Sequence, residues 1–82
     1  MSMTLTMNWK LMILGQEIRI QGEENLFQLT MSGYQLFPMD EPISIKRNDK
    51  EREIGIGVVK EVLWKDQKTI LTYQLITLFT VN

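Results

Sequence analysis

The sequence contains neither cysteine nor histidine. Without Cys there is no disulfide framework, no zinc knuckle and no thiol nucleophile. Without His the commonest general base and the commonest metal ligand are both missing, which closes every Ser/His/Asp, Cys/His and HExxH mechanism. Carboxylates, Lys, Ser, Thr and Tyr remain for chemistry, and no constellation of them names a reaction. The expectation is a protein that is not an enzyme and holds no cofactor, metal or nucleotide. No apolar run approaches the roughly 18 to 20 residues of a membrane span. The opening "MSMTLTMNWKLMILG" has no cationic leader, and Thr4, Thr6, Asn8 and Lys10 interrupt it at alternate positions, unlike a signal peptide. The expected address is therefore the cytoplasm.

What is present fits one small domain over residues 1–82, near the lower size at which a core alone stabilises a chain. Nine Lys and Arg oppose ten Asp and Glu, a net charge of −1, unlike the basic balance of a dedicated nucleic-acid binder. The first half is the more acidic, with Glu17, Glu23, Glu24, Asp40 and Glu41 against Lys10 and Arg19; basic residues gather in the second half.

Hydrophobicity repeats with period two almost throughout. Met3, Leu5, Met7, Trp9, Leu11 and Ile13 share one face of a first strand, and Gly15-Gln16 makes a turn. "QEIRIQ" alternates again with Ile18 and Ile20 inward, and "GEEN" at 22–25 is a turn. From Leu26 to Phe37 a strand is expected with a bend at Ser32-Gly33, since Phe, Thr and Tyr favour strands and Gly costs a helix about 1 kcal/mol. A loop "PMDEP" at 38–42, a short strand "ISIKR" and the turn "NDKE" follow. A long hairpin closes the chain, with strands 53–64 and 69–81 about the turn "KDQK". Its last strand places Leu71, Tyr73, Leu75, Phe79 and Val81 on one face, with Ile76 and Leu78 buried on the other. The reading is all-β, a small closed or nearly closed antiparallel barrel of six or seven strands.

Two glycines interrupt the β-branched run "REIGIGVVKEVLW". A dinucleotide fingerprint needs G-x-G-x-x-G opening a helix, and a P-loop needs GxxxxGK[ST]; neither is here. With Ile54, Ile56 and Val58 toward the core, Gly55 and Gly57 would lie on the opposite face and let the strand coil or a neighbour approach. The alternation is disturbed near Val58 and Val59, as a bulge would do. Arg52, Ile54, Gly55, Gly57, Val58 and Val59 spell R-x-I-G-x-G-V-V, and with "PISIKRNDKE" before it the stretch from Pro42 to Leu63 resembles the C-terminal β-barrel domain of translation elongation factor Tu. That resemblance implies a six-stranded antiparallel Greek-key barrel, a structural role for Gly55 and Gly57, and translation factors or RNA as partners. It implies no GTP hydrolysis, because no counterpart of the nucleotide-binding domain is in the sequence. The whole chain also resembles a small uncharacterised family from bacilli, to which no activity is attached.

The expected partner is a protein, met through an exposed strand edge or the loop from Tyr34 to Pro42. Tyr34, Phe37 and Met39 are the candidate contacts, because Tyr34 and Phe37 flank the Gly33 break and the proline loop instead of following an inward phase. The alternative partner is RNA, met through the basic turn of Lys46, Arg47, Lys50 and Arg52, with Lys60, Lys65 and Lys68 on the neighbouring hairpin lining the same end of a barrel and Trp64 or Tyr34 stacking on bases. Asp49, Glu51, Glu53, Glu61 and Asp66 are interleaved, which favours ordinary cross-strand charge pairing. The acidic pairs Glu23-Glu24 and Asp40-Glu41 read as solvated turn charges, since a glycosidase needs two converging carboxylates and the ligand spacing of a calcium loop is missing.

Overall fold

The computed structural model describes residues 7–22, 24–48 and 50–79. Met3 and Leu5 of the expected first strand, with Glu23, Asp49 and Val81, lie outside the described residues. The described chain is all-β, with strands β1 (Lys10–Met12), β2 (Ile18–Arg19), β3 (Leu26–Ser32), β4 (Pro42–Lys46), β5 (Glu53–Lys65) and β6 (Lys68–Leu78). They form one sheet in the order β1-β4-β5-β6-β3-β2.

The centre of the sheet is the hairpin legible in the sequence. β6 alternates Ile, Leu, Tyr and Leu with Thr and Gln, a pattern suited to a pleated, half-buried surface. Asp66 and Gln67 join β5 to β6 with φ of 52° and 65°, the mirror-image turn whose twist matches that of the flanking strands. β5 is bulged as expected: its pairing shifts between Val59 and Glu61, and again where Ile56 and Gly57 face β6. β3 returns beside β6, so β3 to β6 have the Greek-key order.

Two parts of the barrel expectation are corrected. β1 runs parallel to β4, with Leu11 opposite Ile45, so the sheet is mixed and not antiparallel. No ladder joins β1 to β2 among the described residues, so hydrogen bonds leave the sheet open. It is nevertheless curled. Six strands about 4.8 Å apart would put the edges of a flat sheet about 24 Å from each other. The link from Met12 to Ile18 folds back in a tight turn, where the Gln16 amide donates to the Ile13 carbonyl at 2.9 Å, and cannot reach so far.

Register decides which residues face the core, and in places it overrules hydrophobicity. Ile18 pairs with Gln28 and Arg19 with Phe27; Ile18 thus shares the outer face and is 65% exposed, while Arg19 stands on the face of Phe27 and Tyr73. Trp9 and Met7, which precede β1, are exposed too, although Met7 bridges to Leu36. The glycines are on the core face, not opposite it: Gly55 pairs with Ile45 and Gly57 with Ile43, and both glycines are buried. A Cβ on Gly57 would come 2.8 Å from Ile45 Cδ1, and one on Gly55 would overlap the Thr77 carbonyl oxygen. Ile76 and Leu78, expected inside, are exposed where the β6 bulge ends the alternation.

Residues 33–41 cross from β3 to β4 past the ends of β6 and β5. Gly33 starts the crossing at φ 74°. Thr69, fully buried, fixes it: its hydroxyl accepts from the Gln35 amide at 2.9 Å and donates to the Gly33 carbonyl at 2.7 Å. The crossing carries Phe37 into the cluster of Leu11, Ile13, Leu29, Ile43, Ile45, Val59, Leu71 and Tyr73. Phe37, expected at the surface, is 6% exposed, which corrects its assignment as an exposed contact.

Candidate functional site

The basic turn is held by the Asn48 side chain and by the end of β1. The Asn48 side-chain oxygen accepts from the amides of Lys50 and Glu51 at 2.9 and 3.0 Å. The carbonyls of Lys46 and Arg47 accept from the amides of Ile13 and Leu14, both at 2.9 Å, so the turn is tied to the end of β1. Opposite it, the Phe79 amide donates to the Ile54 carbonyl at 2.7 Å, which brings the end of β6 alongside. Between them lies a groove of about 590 Å³, lined by Arg47, Lys50, Glu51, Arg52 and Glu53 and by Ile54, Leu78 and Phe79. On the other side of the turn a second hollow, about 510 Å³, adds Met12 and Leu14. Lys46, half-buried at the end of β4, is engaged within the protein.

The groove continues into the mouth of the curled sheet through Arg47, Ile54 and Leu78, which also line an inner cavity of about 240 Å³. Ile13, Phe27, Ile45, Tyr73 and Leu75 make its walls, with Glu17 and Arg19 at the rim. One row of the sheet, Arg19, Phe27, Tyr73, sets its chemistry. The Arg19 guanidinium lies 4.8 Å from the centre of the Phe27 ring, and that ring stacks on Tyr73 at 5.5 Å. Tyr73 is 3% exposed. Its hydroxyl makes no hydrogen bond among the described residues, yet is not sealed away. Burial pushes its pKa well above the usual phenol range, and the nearby Glu17 charge pushes it further, so the hydroxyl keeps its proton and remains a donor.

The other candidates are dispersed. Lys65 and Lys68 face each other at the far end of β5, roughly 40 Å from the basic turn at the usual strand rise, so they do not line the same end. Lys60 pairs with Asp40 at 3.3 Å. Tyr34 and Trp64 are also at the far end and stack on each other at 5.2 Å. The Trp64 indole donates to the Gln35 carbonyl at 3.0 Å, and the Tyr34 hydroxyl accepts from the Gln67 amide at 3.1 Å. Both rings hold the crossing in place, away from Arg47 and Arg52. Of Tyr34, Phe37 and Met39, only Met39 is exposed. No three acidic side chains cluster as metal ligands, and no helix is long and apolar enough to cross a membrane, among the described residues. The sequence reading missed Glu17, Arg19 and Tyr73. Their signal was a Tyr on an inward phase of β6, but its neighbours depend on the register of a two-residue strand.

Comparison with known proteins places the chain in a family. Residues 1–82 match the domain of unknown function DUF2584, and the chain belongs to that family. It is similar to the uncharacterized protein YtmB of Bacillus subtilis (strain 168), 33% identical over 82 residues and the full length of both chains. It is likewise similar to the X-ray crystal structure of protein ytmB from Bacillus subtilis, with a TM-score of 0.88, 34% identity, and 100% of this chain and 99% of that one covered. These matches bear out the resemblance to a small uncharacterised family from bacilli and lend no support to one with an elongation-factor domain.

Proposed function

We propose that this domain is a non-catalytic binding module of the cytoplasm that takes a protein partner at the end of the sheet where β6 meets the basic turn. One observation carries the reading: Leu78, 63% exposed, and Phe79 stand beside Arg47, Lys50 and Arg52 in a single groove. Exposed apolar side chains next to cations suit a segment that presents an apolar anchor flanked by acids. Met39 belongs to a different part of the surface, beside Val59, and is not needed for it.

A photo-crosslinking residue at Phe79 tests this in cells of the source organism. Discrete adducts are expected there, lost when Lys50→Glu and Arg52→Glu reverse the groove's charge, and absent when the crosslinker replaces the exposed Thr30 on β3. The same adducts from both positions, or none from Phe79, would remove the reading.

RNA is the second reading, favoured by the three cations on one groove. Glu51 and Glu53 in that groove and the distant position of Tyr34 and Trp64 weigh against it. Phosphate contacts make binding steeply salt-dependent. A titration with tRNA at low and high salt decides: no binding at low salt eliminates RNA.

A further inference from the structure

The inner cavity has features that a protein groove does not require. Its walls are aliphatic and aromatic, the Tyr73 hydroxyl lines it with no hydrogen bond among the described residues and without being sealed from solvent, and two guanidiniums stand at its rim against one carboxylate. A donor that water reaches is satisfied by water, and a ligand oxygen entering the cavity can take that water's place. The rim decides the sign of that acceptor. Arg19 and Arg47 outweigh Glu17, so an anion of one charge balances the mouth, whereas a cation adds to the excess. Volume limits the size: an apolar cavity of about 150 Å³ takes a benzene ring, and 240 Å³ accordingly has room for roughly eight to ten heavy atoms.

We propose that the cavity binds a small monocarboxylate with an apolar body, the body packed among Ile13, Phe27, Ile45 and Leu75 and the carboxylate taken by the Tyr73 hydroxyl and the Arg47 and Arg19 guanidiniums. Guanidinium and carboxylate match as a two-pronged pair, and the phenol adds a charge-assisted hydrogen bond. The ring of Phe27 keeps Arg19 over the rim, so its charge is in place before a ligand arrives. The site shares Arg47, Ile54 and Leu78 with the groove of the protein-partner reading, but Lys50, Arg52 and Phe79, on which the test of that reading rests, line the groove alone.

Octanoate and 4-methylbenzoate are the probes, with octanol and octylamine as charge controls, and amide and methyl NMR spectra as the readout. The two acids are expected to saturate at millimolar concentration or below, with contacts between ligand protons and the methyl groups of Ile13 and Ile45. Tyr73→Phe keeps the ring, and is expected to weaken both acids about tenfold with the folded spectrum retained. Arg47→Gln is expected to weaken them too, and Arg52→Gln to leave them unchanged. Octanol or octylamine binding as tightly as octanoate would overturn the proposal. So would equal affinity in Tyr73→Phe, or acids that leave the Ile13 and Ile45 methyl signals unmoved because the cavity holds water alone. Failure of the Phe79 crosslinks with the acids still bound would remove only the protein partner; the reverse result would remove only this site.

Discussion

Alanine at the two glycines of β5 separates two kinds of obstruction. At Gly57 the new Cβ would lie 2.8 Å from Ile45 Cδ1 and 3.2 Å from the Gln74 carbonyl oxygen. The nearest atom is the end of a side chain, so relief comes by turning the Ile45 δ-methyl, but Ile45 is fully packed in the core and such overpacking costs about 1 to 3 kcal/mol. Alanine returns about 0.5 to 1 kcal/mol by restricting the unfolded chain. A net loss of about 1 to 2 kcal/mol therefore follows for Gly57→Ala. At Gly55 the obstruction is the Thr77 carbonyl oxygen, a backbone atom of the neighbouring strand. No rotamer relieves it, so the ladder must part locally, and Gly55→Ala should cost more, about 3 kcal/mol or above. In urea both midpoints fall while the slope stays constant, the mark of a change in stability alone. Ile45→Val removes the atom nearest the Gly57 position. It costs about 0.5 to 1.5 kcal/mol by itself, but combined with Gly57→Ala it should recover about 1 kcal/mol relative to the sum of the single changes. Strict additivity, or a Gly55→Ala no worse than Gly57→Ala, would refute the steric assignment.

Two further outcomes follow from the hydroxyls of Tyr73 and Thr69. The raised pKa of Tyr73 means that the folded state holds the phenol proton more tightly than the unfolded chain, whose value is near 10.0; this contribution is complete below that pH and is lost as pH rises above it. The stability difference between the native protein and Tyr73→Phe should be flat to about pH 10 and then turn against the native protein by up to about 1.4 kcal/mol per pH unit, and parallel denaturation curves would contradict this. Thr69→Val removes both bonds that fix the crossing and should cost about 1 to 3 kcal/mol with faster hydrogen exchange at Gln35, while Thr69→Ser keeps most of the stability; equal stability of the two variants would show that the hydroxyl does not hold the segment.

The existence of the strands was legible, whereas the pairing that sets their faces and neighbours was legible only in the β5–β6 hairpin. The β5–β6 hairpin, its turn and the bulge near Val59 were readable because Val, Ile, Tyr and Thr alternate on both sides of one short turn. Ile18 and Arg19 reversed their expected phase because pairing with Gln28 and Phe27, not local hydrophobicity, sets the face of so short a strand. The parallel pairing of β1 with β4 joins segments more than thirty residues apart, for which neither strand carries a local mark. Phe37 read as exposed since it falls outside any regular alternation; in the structure the crossing itself supplies its burial. The glycine pair lies on the core face, and the side chains that use its space come from Ile45 on β4 and Leu75 on β6, which a single strand cannot show. The basic turn was found by composition, whereas the cavity next to it needed five strands brought into register.

That dependence on register links the glycines to the cavity. Ile45 crosses above Gly57, Leu75 lies against the place of a Gly55 Cβ, and both side chains are cavity wall. A methyl group at Gly57 therefore acts on the cavity as well as on the strand, because the side chain that must give way, Ile45, is part of the cavity wall. Overpacked cores shift side chains before they lose the fold. Gly57→Ala consequently has a route of relief that Gly55→Ala does not, and that route moves a cavity wall. The absence of a side chain at Gly57 is thus a condition for the placing of that wall in so small a sheet, not merely for the bend in β5.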